Sequence, residues 1–200
     1  MSGGRKLEFD KQQALESAMY TFWKKGYVGS SLSDLTASMG INKPSLYSTF
    51  GNKEQLFIHT IDYYLEHNAK PYVQLLHDES LPLKQRLTNY MMNICSVQFE
   101  PEKPQGCFIS CCINEGAGET IPANALEVIT EVRQSYENFL IEFISQEIKV
   151  GHLSEEVSPE SVALFIITVL HGTAAMARAG KVLEEIEPVI LLAVNSVGNV

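Results

Sequence analysis

The 200-residue sequence has almost nothing that would build a β-sheet. No segment alternates apolar and polar residues between Asn-Gly or Asp-Gly turns, and its β-branched residues recur at helical spacing. Proline (8) and glycine (13) are too scarce for a collagen-like or low-complexity chain. Met1-Ser2-Gly3-Gly4-Arg5-Lys6 is followed by no apolar run, so no secretory signal is expected. The four cysteines lack Cys-x-x-Cys or zinc-finger spacing, and the five histidines lack a Glu-x-x-His partner. No metal and no cofactor are therefore expected. There is no Gly-x-Ser-x-Gly elbow and no Walker A loop. Gly116-Ala117-Gly118-Glu119-Thr120-Ile121 lacks the third glycine and the preceding strand of a dinucleotide fingerprint. Nothing here marks an enzyme.

What is present is ordinary globular composition, 45% apolar and 20% charged. Without a leader, the cysteines are expected to be reduced thiols of a cytoplasmic protein. Residues 161–177 carry no charge apart from His171, and 17 residues is the lower edge of a membrane span. Thr168, His171, Gly172 and Thr173 interrupt that stretch, and no aromatic belt or basic cluster flanks it. Burial between other helices is the expectation, with no membrane partner. The net charge of −9 is uneven: residues 1–54 hold seven basic and five acidic groups, leaving −11 for the other 146. A slightly basic head on an acidic body suggests that only the head meets a polyanion.

Periodicity predicts an all-α chain of about nine helices. From Asp10, a capping residue, the apolar positions Ala14, Leu15, Ala18, Met19, Phe22 and Trp23 line one helix face, and Gly26 is placed to end it. Ser31 with Asp34 opens a short second helix that buries Leu32, Leu35 and Met39 and stops at Gly40. Asn42 caps a third, with Pro44 tolerated in its first turn. Asn52 and Gln55 open a fourth, with Leu56, Phe57, Thr60, Ile61 and Tyr64 inward and a kink or end expected at Pro71. Further helices are predicted over 82–98, 107–115, 124–150, 159–179 and 184–197.

Residues 31–50 thus read as helix, glycine turn, helix. The third helix is too short to add much core, yet it carries Lys43, Ser45, Tyr47, Ser48 and Thr49, donors suited to phosphates and base edges, while Leu46 and Phe50 fix it from behind. On pattern alone a plain surface helix is an equal reading, because the same geometry occurs in proteins that bind no DNA.

The stretches Phe22-Trp23-Lys24-Lys25-Gly26-Tyr27 and Ser30-Ser31-Leu32-Ser33-Asp34-Leu35 resemble the N-terminal domain of TetR-family transcriptional regulators. So does Met39 to Phe57, with its Leu46-Tyr47-x-x-Phe50 and Lys53-Glu54-x-Leu56 signatures. The resemblance spans about residues 9–65, and Pro44 stands where glycine is more frequent. It implies a helix-turn-helix DNA-binding domain over 1–52, a linking helix beginning within 53–78, and a helical ligand-binding and dimerisation bundle over 79–200. It further implies a homodimeric, ligand-responsive repressor of a pseudo-palindromic double-stranded operator. Lys43, Ser45 and Ser48 would lie nearest the bases, with Pro44 beside them in the DNA-binding set and Ser31, Tyr47 and Lys53 on the phosphate strand. The alternatives are a helical interaction or ligand-binding module whose helix-turn-helix is structural only, and an α-helical binding enzyme without a motif.

In the body, a small apolar effector is expected against Met91, Cys95, Cys107, Phe108, Cys111, Tyr136, Phe139 and His171. For each of these, plain core packing is the competing reading. The last two helices are expected to pair across the two-fold axis, with Gly172, Ala174, Ala175, Ala177 and Ala179 allowing close approach. Phe165, Leu170, Ile186, Val189, Ile190 and Val194 would supply apolar area. Cys107 opens a predicted helix, a position that favours the thiolate, and Cys111 follows one turn later, so the pair is either a thiol-reactive sensor or buried filler.

Overall fold

In the computed structural model, residues 9–118 and 120–197 are described; Arg5, Lys6 and Glu8 of the basic-head count and Glu119 lie outside them. Nine helices of eight residues or more, and no strand, occur among the described residues. They are α1 (Lys11–Gly29), α2 (Leu32–Met39), α3 (Lys43–Phe50), α4 (Lys53–Tyr64), α6 (Leu83–Gln98), α7 (Phe108–Gly116), α8 (Ala123–Lys149), α9 (Pro159–Arg178) and α10 (Leu183–Val197), with a four-residue α5 (Lys70–Val73) between α4 and α6. The all-α expectation holds. The chain divides into two compact units, residues 1–65 with 111–129, and residues 66–110 with 130–200.

The first unit is built around α1 and α4. Ala14, Ala18, Met19, Phe22 and Trp23 from α1 are buried, as are Leu56, Phe57, Thr60, Ile61 and Tyr64 from α4. Edge-on ring pairs tie the two helices, Phe22 to Phe57 at 5.0 Å and Trp23 to Tyr64 at 5.3 Å between centroids. Each such pair adds about 0.5–1.5 kcal/mol beyond area burial. Asp10 accepts from the Gln12 and Gln13 N–H groups to start α1. The α-helical run of α1 breaks at Gly26, whose φ of 73° and ψ of 174° are closed to other residues, and Tyr27–Gly29 form a separate last turn. Ser31 and Asp34 form the reciprocal cap of α2, and Gly40 ends that helix in the left-handed region. Leu35 and Met39 are buried as predicted; Leu32 is only half-buried.

The kink expected at Pro71 lies just before it. A wide π-turn over Leu65–Ala69 intervenes, and Pro71 sits in the first turn of α5. Proline lacks an N–H and its ring crowds the carbonyl four residues back, here His67, so the distortion falls N-terminal to the ring.

The second unit packs α6 against α9 and α10 around Leu87, Tyr90, Met91, Cys95, Leu140, Ile144, Ile166, Leu170 and Ile190. Among the described residues, α9 is the one helix long and apolar enough to cross a membrane. It is not buried all round. Val162, Ala163, Ile166, Leu170, Thr173, Ala174 and Ala177 face the core, while Leu164, Phe165 and Met176 are exposed.

Candidate nucleic-acid interface

Helix α3 begins where the Asn42 side chain accepts the Ser45 N–H at 2.9 Å, a cap contributing about 1 kcal/mol. Leu46 and Phe50, four residues apart, are fully buried and hold the helix from one side. Lys43, Pro44, Tyr47 and Ser48 are exposed on the other, and Ser45 is half-buried. Eight residues rise about 12 Å, comparable to the width of a B-DNA major groove. Tyr47 is 49% exposed, so much of its side chain is presented to solvent. Thr49, read from the sequence as one of the outward donors, turns inward with its hydroxyl buried. Its position, three residues beyond Leu46 and one before Phe50, lies close to the anchoring face.

The flanking groups differ in how free they are. The Ser31 hydroxyl donates to Asp34 Oδ2 at 2.7 Å and accepts the Asp34 N–H at 3.0 Å, so a phosphate there would compete with the cap. Lys25 Nζ lies 2.6 Å from Asp34 Oδ1. That bond, then those from Ser31, hold the Asp34 carboxyl well below the usual carboxylate range. Lys53 opens α4 with its Nζ 4.3 Å from the centroid of the Tyr27 ring. Partial burial lowers its pKa, and the charge of Glu115 opposes that shift.

The effector candidates are divided between the units. Cys111 belongs to the first; Met91, Cys95, Cys107, Phe108, Tyr136, Phe139 and His171 belong to the second. Met91, Cys95 and Phe108 are buried, the others half-buried. Burial pushes the Cys95 thiol up to about 11 despite a hydrogen bond with Thr173. Burial lowers the His171 pKa, favouring neutral imidazole. Tyr136 shares a 2.8 Å hydroxyl bond with Tyr90, whose pKa is pushed up by burial to about 12. Thr173 donates to Gln98 Oε1 at 2.7 Å. Cys107 precedes α7 instead of opening it. Sequence reasoning assigned no role to Tyr90, Gln98, Thr173 or the Glu115 carboxylate, although all four lie on predicted helices.

Against known proteins, the family model "Bacterial regulatory proteins, tetR family" matches residues 14–60. The HTH-type transcriptional repressor ComR of Escherichia coli (strain K12) is 31% identical over 186 residues, 92% of this chain and 87% of ComR. The HTH-type transcriptional repressor BdcR of the same organism is 27% identical over 183 residues, 92% of this chain and 86% of BdcR. A cysteine mutant of the TetR family transcriptional regulator CifR, solved with 26bp double-strand operator DNA, superposes with a TM-score of 0.86 at 28% identity, covering 96% of this chain and 98% of that one. The chain belongs to the tetR family of bacterial regulatory proteins: it is a DNA-binding regulator of transcription and not an enzyme.

Proposed function

We propose that this protein is a homodimeric, ligand-responsive repressor that binds a pseudo-palindromic operator in the cytoplasm. The observation that carries the reading is α3 itself, anchored by Leu46 and Phe50 and presenting Lys43, Pro44, Tyr47 and Ser48 outward. Ser45 and Ser48 would read base edges beside Lys43, while Tyr47 and Lys53 would hold phosphates. CifR, similar in fold and sequence, is bound to operator DNA in its solved structure, and ComR and BdcR are transcriptional repressors.

The dimer is supported by apolar side chains that α9 and α10 leave to solvent. Leu192 is 67% and Leu164 58% exposed, with Phe165, Met176, Val189 and Leu191 also outward. Leu170, Ala174, Ala177, Ile186, Ile190 and Val194, assigned from the sequence to that interface, are buried within their own unit. The pairing surface would then be the outward stripe of the same two helices, which keeps Phe165, Val189, Gly172, Ala175 and Ala179 from the sequence assignment.

A small apolar effector would bind among Met91, Phe108, Tyr136, Phe139 and His171, relieving repression only if it prefers the conformation that cannot span two half-sites. Cys107 and Cys111, half-buried, are the thiols open to a thiol-reactive effector; Cys95 and Cys112 are buried. Selection of bound genomic fragments tests the reading. Enrichment of a two-fold-related sequence is the expected result, and no enrichment over bulk fragments overturns it.

A further inference from the structure

At the break in α1, the two backbone N–H groups that follow Gly26 donate to a group outside the helix. Both point at one carboxylate, contributed from 88 residues further along the chain. Tyr27 N–H donates to Glu115 Oε2 at 2.7 Å and Val28 N–H donates to Glu115 Oε1 at 2.9 Å. Bonds to an ionised acceptor are roughly twice as strong as neutral ones. Gly26 is needed twice over: its φ is 73°, and a Cβ there would lie 2.8 and 2.9 Å from the two carboxylate oxygens.

The clasped segment bears on the DNA-facing surface in two ways. The Tyr27 ring packs edge-on against Phe57, 5.1 Å between centroids, and is the platform on which Lys53 Nζ rests. Beyond it, Ser30 N–H donates to the Tyr27 carbonyl and Ser30 Oγ donates to the Gly26 carbonyl at 2.6 Å, fixing the chain directly before the Ser31 cap of α2.

We infer that Glu115 is a positioning residue for operator binding: its two bonds to the Tyr27 and Val28 backbone hold Lys53 and the start of α2 where DNA needs them. The inference rests on the operator-binding reading above. The helix-turn-helix head is then incomplete as residues 1–65 alone, because α7 supplies the group that closes its last turn. Glu115 also places a negative charge near a phosphate-binding lysine, which by itself would weaken DNA binding. The two roles predict opposite outcomes.

The test uses the full-length protein, a genomic fragment that the parent binds, and Glu115→Gln, which keeps the volume but offers one acceptor where two donors point. The expected result is a tenfold or greater loss of affinity, with faster amide exchange at Tyr27 and Val28 and unchanged exchange in α6 and α9. Affinity equal to or above the parent's overturns the inference, since Glu115 is then only a nearby charge. Unchanged exchange at Tyr27 and Val28 overturns it as well. Should Glu115→Gln fail to fold, Glu115→Asp, one carbon short but still charged, is held to the same criteria. A parent that selects no fragment overturns the operator reading and this inference together; a parent that binds beside an unaffected variant overturns this inference alone.

Discussion

Arg86 and Glu147 face each other inside the second unit as a two-pronged ion pair, Nη1 to Oε1 at 2.8 Å and Nη2 to Oε2 at 2.7 Å. Their side chains are only 3% and 7% exposed. Arg86 Nη1 also donates to the Leu76 carbonyl at 2.8 Å, so the pair secures the segment preceding α6. Removing one partner leaves a buried charge uncompensated. Glu147→Gln should lower the unfolding free energy by about 3–5 kcal/mol, read from urea denaturation. Arg86→Met with Glu147→Leu should recover most of that loss, because both desolvation costs disappear together.

The same pair sets a pH dependence. Burial pushes the Glu147 carboxyl up, but hydrogen bonds from Arg86 and His152 outweigh it and leave its pKa below the usual 4.5. A lowered folded value means that the stabilisation is complete above about 4.5 and is lost as pH falls through the folded pKa. Between pH 5 and pH 3 the urea midpoint of the parent should therefore fall more steeply than that of Glu147→Gln. Parallel profiles would show that the carboxyl titrates alike in both states.

If Lys53 meets a phosphate, removing it should release one fewer counterion. For Lys53→Ala, the slope of log affinity against log salt should flatten by about one for each Lys53 engaged, with sequence preference retained. An unchanged slope at unchanged preference would place Lys53 away from the backbone.

Leu192→Glu should leave the fold intact, since its side chain is largely in solvent, and should shift the sedimenting species toward monomer at micromolar concentration. Ile190→Glu should instead unfold the second unit, because Ile190 is wholly buried in it. A Leu192→Glu protein that sediments like the parent would move the dimer surface elsewhere.

Much of the head was legible because its signals are local. Ser31, Asn42 and Asn52 each accept the N–H three residues on, as their spacing predicts, and all five α4 positions read as inward are buried. The body was less so. On α9 apolar residues occupy two stripes, and periodicity alone does not say which one turns inward; Leu170 and Leu164 look alike in sequence but lie on opposite sides. Arg86 stood three residues after Leu83 and one before Leu87, on the apolar face of α6, and that placement was a readable sign of a buried partner.

The sequence by itself determined the nine long helices, most of their caps, and the family, because capping, glycine conformation and apolar spacing act over three or four residues. Only the tertiary structure decided which distant groups meet. Glu115 closes the turn at Tyr27 across 88 residues, Arg86 finds Glu147 across 61, and Thr173 finds Gln98 across 75. A lone acid or amide in a sequence carries no address. Its partner is chosen when packing removes water from both, and an unpaired polar group then costs more than the chain can tolerate.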